Sequence, residues 1–162
     1  MYKRQIWKKV IVRLRKDGVL KPPRLDIEPI RKLALEYECL VNPVWPMPDC
    51  LETLHTLKER GLVIGIVSNA QFYTPLLFSA FFEQTLADLG FDTDCCIWSY
   101  KELKAKPSAD LFPKAEKYLK RNHGIKLTET VYVGNDMLND IYCAGRAGCK
   151  TCLLYTSPSP RD

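Results

Sequence analysis

From residue 62 to residue 154 this chain alternates short hydrophobic runs with stretches of helical period, and that alternation constrains its fold more than any other feature. Leu62-Val63-Ile64-Gly65-Ile66-Val67 reads as a buried strand ending at Ser68-Asn69, and Cys95–Trp98, Val131–Val133 and Lys150–Leu154 read as further strands. A helix capped by Asp49, with Leu51, Leu54 and Leu57 inward, precedes the first strand and stops at Gly61. Between the strands lie an aromatic helical stretch around Pro75–Leu89, a helix from Ser108 to Arg121 and a helix from Asp136 to Ala147. Strands separated by helices of about ten to fifteen residues predict an α/β fold with a doubly wound, Rossmann-like parallel sheet. In such sheets ligands bind beyond the carboxyl ends of the strands.

Upstream the pattern changes. Residues 2–16 place Ile6, Val10 and Leu14 on one helical face with Trp7 and Ile11 beside them, Lys16-Asp17-Gly18 ends that helix, and Lys21-Pro22-Pro23 stiffens the connection. A second helix runs from Asp26 to Val41, with Ile27, Ile30, Ala34, Tyr37 and Val41 at helical spacing. Pro43, Pro46 and Pro48 mark a rigid link. The expected division is therefore an all-helical zone over 1–45 and an α/β zone over 46–154.

At 162 residues and 46% hydrophobic, one domain with an appendage fits the length. No run of eighteen apolar residues and no leader pattern occurs, so a soluble, cytoplasmic protein is expected. The seven cysteines are odd in number and lie in or beside apolar segments, as reduced thiols do. Cys149 and Cys152 have no second pair at zinc-site spacing and follow a helix, which argues against a redox or metal motif. Residues 1–32 hold eleven Lys or Arg against three acids, a balance of +8 that leaves −3 for the rest of the +5 chain. Few aromatics interleave those charges, so they read as a solvated helix face and not as a nucleic-acid surface. A membrane partner is not expected either.

Chemistry-bearing residues gather at the strand ends. Ser68 and Asn69 close the first strand, Lys106-Pro107 follows the second, and Gly134-Asn135-Asp136 closes the third with Asp140 four residues on. A phosphoryl group needs hydrogen-bond donors and positive charge on its oxygens, and a hard cation such as Mg²⁺ needs carboxylates. Ser68, Asn69 and Lys106 supply the first kind of group, Asp136 and Asp140 the second. Each has a plainer reading: Ser68 as a helix cap, Lys106 as a surface lysine, Asp136 as an N-cap and Asp140 as its solvated neighbour.

The order and wording of the set resemble the haloacid dehalogenase-like (HAD) superfamily. Ile64-Gly65-Ile66-Val67-Ser68-Asn69 is similar to that family's second motif and Lys106-Pro107-Ser108-Ala109-Asp110-Leu111-Phe112 to its third. Val131 to Asp140, with Ala144-Gly145-Arg146-Ala147-Gly148, is similar to the fourth. The resemblance covers about residues 46–152. It implies a Mg²⁺-dependent phosphohydrolase acting on a small phosphorylated substrate, with Ser68, Asn69 and Lys106 on the phosphoryl group. By the same carry-over Asp136, supported by Asp140, holds Mg²⁺, and the helical zone is part of a cap that selects the substrate.

The family also begins with a strand ending in Asp-x-Asp, whose first Asp attacks phosphorus to form an aspartyl-phosphate and whose second is general acid and base. Neither is found here: Asp26-Ile27-Glu28 imitates the spacing but opens a helix. The resemblance therefore implies a core without its first strand, a chain that starts inside the cap, and no phosphatase activity from this chain alone. The polar, proline-rich residues 155–162 resemble translated adapter sequence and read as an artefactual, unstructured tail. Two other readings are a non-catalytic binding domain that keeps the fold and a dehalogenase of the same superfamily, against which the acid pair argues. A response-regulator receiver is excluded, because its acidic pair precedes the hydroxyl and the lysine.

Overall fold

The computed structural model describes residues 2–21 and 26–154, with side chains from Ile6 onward. The expectations for Pro22-Pro23 and for the tail at 155–162 lie outside the described residues. The chain divides into two compact units, Met1–Cys50 and Leu51–Asp162.

In the first unit, α1 (Tyr2–Lys16) and α2 (Ile27–Val41) pack together. The buried positions are Ile11, Ile30 and Ala34, and Trp7 meets Tyr37 edge-on with ring centroids 5.0 Å apart. The inward stripe of α1 is thus Trp7, Ile11 and Leu14, and the expected Ile6 and Val10 are exposed. The helix is turned so that its largest apolar side chain is covered. Gly18, at φ +73°, takes the left-handed conformation that ends α1.

The second unit carries the strands. Helix α3 (Cys50–Glu59) buries Leu54 and ends at Gly61, whose φ is +68°, with Leu62 N–H donating to the Leu57 carbonyl at 3.1 Å. That bond takes Leu62 out of the strand, so β1 is Ile64–Ser68 and starts later than its apolar run. Asp49 sits at φ +57°, whereas an N-capping residue is extended. Helix α4 (Leu76–Phe82) is shorter than the expected aromatic stretch, and Glu83 at φ +55° stops it.

Strand β2 (Phe91–Trp98) begins before the expected Cys95, because Asp92 and Asp94 disguise its first half. It pairs with β1 in parallel, but Ile64 faces Phe91 while Ile66 faces Cys96. The surplus residues on β2 form a bulge. Gly65 lies opposite: a Cβ there would meet the Cys95 carbonyl oxygen at 2.9 Å.

After the short α5 (Ser99–Glu102) and a 3₁₀ turn at Ala109–Leu111, α6 (Phe112–His123) buries Phe112 and Ala115. Phe112, Leu127, Cys143 and Ala144 form one core cluster and Ile97, Leu111 and Ala115 another, with Val67 packed against both. Fully burying a side chain such as Phe112 contributes about 1.5–3 kcal/mol. Strand β3 (Val131–Gly134) pairs in parallel with β4 (Lys150–Leu153), and α7 (Cys143–Ala147) lies between them in sequence.

The parallel α/β architecture is that of the predicted class, with one structural departure. The strands form two ladders, β1–β2 and β3–β4, and among the described residues β1 and β3 do not pair. Between them lies a cavity of about 980 Å³ lined by Ile64–Ser68 on one side and Val131–Gly134 on the other. No described helix is long and apolar enough to cross a membrane.

Candidate functional site

The carboxyl ends of β1 and β3 meet at one rim of that cavity, with Ser68, Asn69, Lys106 and Asp140 in its lining. Lys106 is the centre of the arrangement. Its side chain is 7% exposed, and its ammonium donates to the Val67 carbonyl at 3.0 Å, the Tyr132 hydroxyl at 2.7 Å and Asp140 Oδ1 at 2.5 Å. An ammonium has three protons, and each has an acceptor. The Tyr132 hydroxyl in turn donates to the Val67 carbonyl at 2.7 Å. Burial, then the Asp140 charge, pushes the Tyr132 hydroxyl well above its ordinary range, so it stays protonated.

Asn69 holds Lys106 from the backbone side. Its Oδ1 accepts from the Lys106 N–H at 2.8 Å and its Nδ2 donates to the Lys106 carbonyl at 3.0 Å. The loop beyond β1 is pinned by Ser99, whose hydroxyl accepts from the Ala70 N–H at 2.9 Å and donates to its carbonyl at 3.2 Å. Ser68 ends β1 opposite Trp98, half-buried at the same rim.

The two aspartates behave differently. The single α-helix expected over 136–147 is instead a π-helix at Met137–Tyr142 followed by α7, so the pair does not share a helical face. Asp136 is exposed and caps the π-helix: Oδ1 accepts from Leu138 N–H at 2.9 Å and Asn139 N–H at 2.6 Å, and Oδ2 from the Asn139 amide at 3.1 Å. These bonds, those from Asn139 foremost, lower its carboxyl below the usual range.

Asp140 turns inward and is buried. Oδ2 accepts from the N–H groups of Asn135 and Asp136 at 3.1 Å each, while Oδ1 takes Lys106 and the Tyr132 hydroxyl, the latter at 3.3 Å. Burial raises its carboxyl, but Lys106 and the backbone donors outweigh that and hold it low. The inward turn depends on Gly134, where a Cβ would fall 2.5 Å from Asp140 Cγ and 2.7 Å from Oδ2.

The rim therefore brings Ser68, Asn69, Lys106 and Asp140 together and leaves the Asp136 carboxylate at the solvent edge. Oxygen donors of this kind suit a hard divalent cation, which keeps several waters and takes one or two carboxylates. Asp136 Oδ2 takes a single hydrogen bond and keeps a lone pair on the exposed side for that role, whereas each oxygen of Asp140 already accepts two. Sequence reasoning missed Tyr132 and Ser99, whose roles depend on neighbours far along the chain. The only available signal was a tyrosine among the valines of a strand.

A family model described as haloacid dehalogenase-like hydrolase matches residues 4–154. Among solved structures, a predicted phosphoglycolate phosphatase from Haemophilus somnus 129PT is similar over 84% of this chain and 57% of its own, with TM-score 0.57 and 22% identity. A candidate β-phosphoglucomutase from Bacteroides vulgatus is similar over 92% of this chain and 56% of its own, also with TM-score 0.57 and 22% identity. At that identity the likeness is one of fold, and the chain spans somewhat over half the length of either structure. No match among curated proteins is found.

Proposed function

The chain belongs to the haloacid dehalogenase-like hydrolase family, and from that premise we propose that it carries the phosphate- and cation-holding half of a phosphohydrolase site. The observation that carries this reading is the cavity between β1 and β3, which closes at the rim where Lys106 and Asp140 meet. Both facing strands run parallel to their own partners and each has one unpaired edge among the described residues. A strand seated there, ending in Asp-x-Asp, would join the two ladders and deliver a nucleophile and a general acid beside Lys106.

The same strand accounts for how Lys106 becomes available. Its three protons are all taken, one by the Val67 carbonyl. A backbone N–H from a strand paired on β1 satisfies that carbonyl instead, which frees an ammonium proton for a phosphoryl oxygen. Lys106 then offsets the negative charge that grows in phosphoryl transfer, and the Ser68 hydroxyl and Asn69 orient the group. Asp140 holds Lys106 in place, and Asp136 is the principal ligand for Mg²⁺. When bound, Mg²⁺ supplies charge neutralisation on the phosphoryl oxygens.

The intact protein would hydrolyse a small phosphomonoester, with the helical unit over Met1–Cys50 belonging to a substrate-selecting cap. Its seven free cysteines fit a reducing, cytoplasmic setting. The test is hydrolysis of p-nitrophenyl phosphate by this chain supplied with an apolar strand ending in Asp-x-Asp, with and without Mg²⁺. Metal-dependent turnover that falls at least about 100-fold in Lys106→Met and in Asp136→Asn supports the reading. Full activity in the Lys106 variant overturns it.

A further inference from the structure

A second group of side chains lies away from this rim, where the β2 bulge meets the end of α6. One donor atom each from Asp92, Cys95 and His123 lies within 4.8 Å of the other two. We propose that these residues form a binding site for one Zn²⁺ ion.

The donor chemistry selects the ion. A thiolate, an imidazole and a carboxylate together suit Zn²⁺, whereas Mg²⁺ and Ca²⁺ take oxygen ligands. The charges of a thiolate and a carboxylate balance a divalent cation. Tetrahedral bonds of about 2.0–2.3 Å space the donors roughly 3.3–3.7 Å apart. His123 Nε2 and Asp92 Oδ2 are 2.6 Å apart without a metal, so His123, the more exposed partner, needs only a small side-chain rotation. Water reaches that side and supplies the fourth ligand. Cys95 closes the other side and is buried at 2% exposure.

The surroundings orient the ligands as metal sites require. Asp92 Oδ1 accepts from the Asp94 N–H at 2.9 Å, and Asn122 Nδ2 donates to Asp92 Oδ2 at 3.3 Å. Arg121 is taken up by Asp94 at 2.8 Å. The bulge itself explains why one strand presents both Asp92 and Cys95 here: Ile64 pairs with Phe91 and Ile66 with Cys96, so the intervening β2 residues leave the ladder. Zn²⁺ takes cysteine as the thiolate, so binding displaces the Cys95 thiol proton.

A bound ion would tie the N-terminal half of β2 to the C-terminus of α6 without touching the rim at Ser68 and Lys106. The test uses the full chain, kept reduced, titrated with Zn²⁺ against a chromophoric chelator and with Co²⁺ followed by absorption. One metal per chain and a thiolate-to-cobalt charge-transfer band in the near ultraviolet are expected. His123→Ala, at an exposed position, should weaken Zn²⁺ at least about tenfold, and Cys95→Ser should abolish the band. Cys149→Ser and Cys152→Ser should leave both unchanged. No metal uptake, unaltered affinity in His123→Ala, or a band that follows Cys149 or Cys152 overturns the proposal.

Discussion

Removing the charge of Lys106 should cost this protein more than removing any exposed charge, and the structure sets the size. The Lys106 and Asp140 side chains are 7% and 10% exposed, so Lys106→Met leaves a carboxylate in the interior without its cation. Orphaning a buried charge costs about 3–5 kcal/mol. Asp140 keeps two backbone donors and the Tyr132 hydroxyl, which places the expected loss near the lower end, about 3 kcal/mol. The partner variant Asp140→Asn removes the charge that needs Lys106, so the double variant should recover about 2 kcal/mol relative to the sum of the singles. By contrast Arg13→Met, which breaks the exposed Arg13–Asp17 pair, should cost under about 1 kcal/mol. Urea unfolding followed by the buried Trp98 reads these changes. With a slope of about 2 kcal/mol/M, Lys106→Met moves the midpoint by about 1.5 M. A shift below about 0.5 M, or additivity in the double variant, would refute the claim that this pair is a buried, coupled anchor.

Gly134→Ala should be about as damaging as Lys106→Met, because the new Cβ would lie within 2.7 Å of Asp140 Oδ2 and force that residue out; thermal unfolding measures it. Asp92 gives an acid limb to the stability profile. Burial raises its carboxyl but His123, Asn122 and the Asp94 N–H outweigh that and hold it at about 2. A carboxyl lowered in the folded state stabilises above its ordinary pKa, and that contribution of about 2 kcal/mol is lost as pH falls from about 4 to about 2. Asp92→Asn should therefore be less stable at pH 6 and converge on the parent near pH 2, as urea midpoints across pH will show. Thiol labelling at neutral pH should modify exposed Cys39 and Cys152 quickly and buried Cys95 and Cys143 last, and early loss of either counts against its burial.

Much of the site was legible because strand ends are where a parallel sheet exposes its backbone: Ser68 and Asp136 follow apolar runs directly, and Lys106 lies in the loop after a third. Helix limits set by glycine were also readable, as Gly18 and Gly61 show. Periodicity did not reveal the roll of α1 that buries Ile11 instead of Val10, since both positions satisfy a helical stripe. Nor did it show the π-helix at Met137–Tyr142, which depends on Asp140 folding under Gly134 to meet a lysine from a distant loop. The start of β2 was hidden because Asp92 and Asp94 belong to a bulge and follow no strand alternation. Tyr132 became visible only through its contacts with Val67 and Lys106.

In the proposed site these residues hold the phosphoryl group and cation while the nucleophile comes from a strand placed between β1 and β3. Hydrolysis of p-nitrophenyl phosphate by the purified 162-residue chain, in Mg²⁺ and in chelator, tests it most directly. The same assay is run on this chain preceded by an apolar strand ending in Asp-x-Asp. No turnover above the metal-free control is expected from the chain alone, and Mg²⁺-dependent turnover is expected once the strand is supplied. Sustained Mg²⁺-dependent turnover by the chain alone would contradict it.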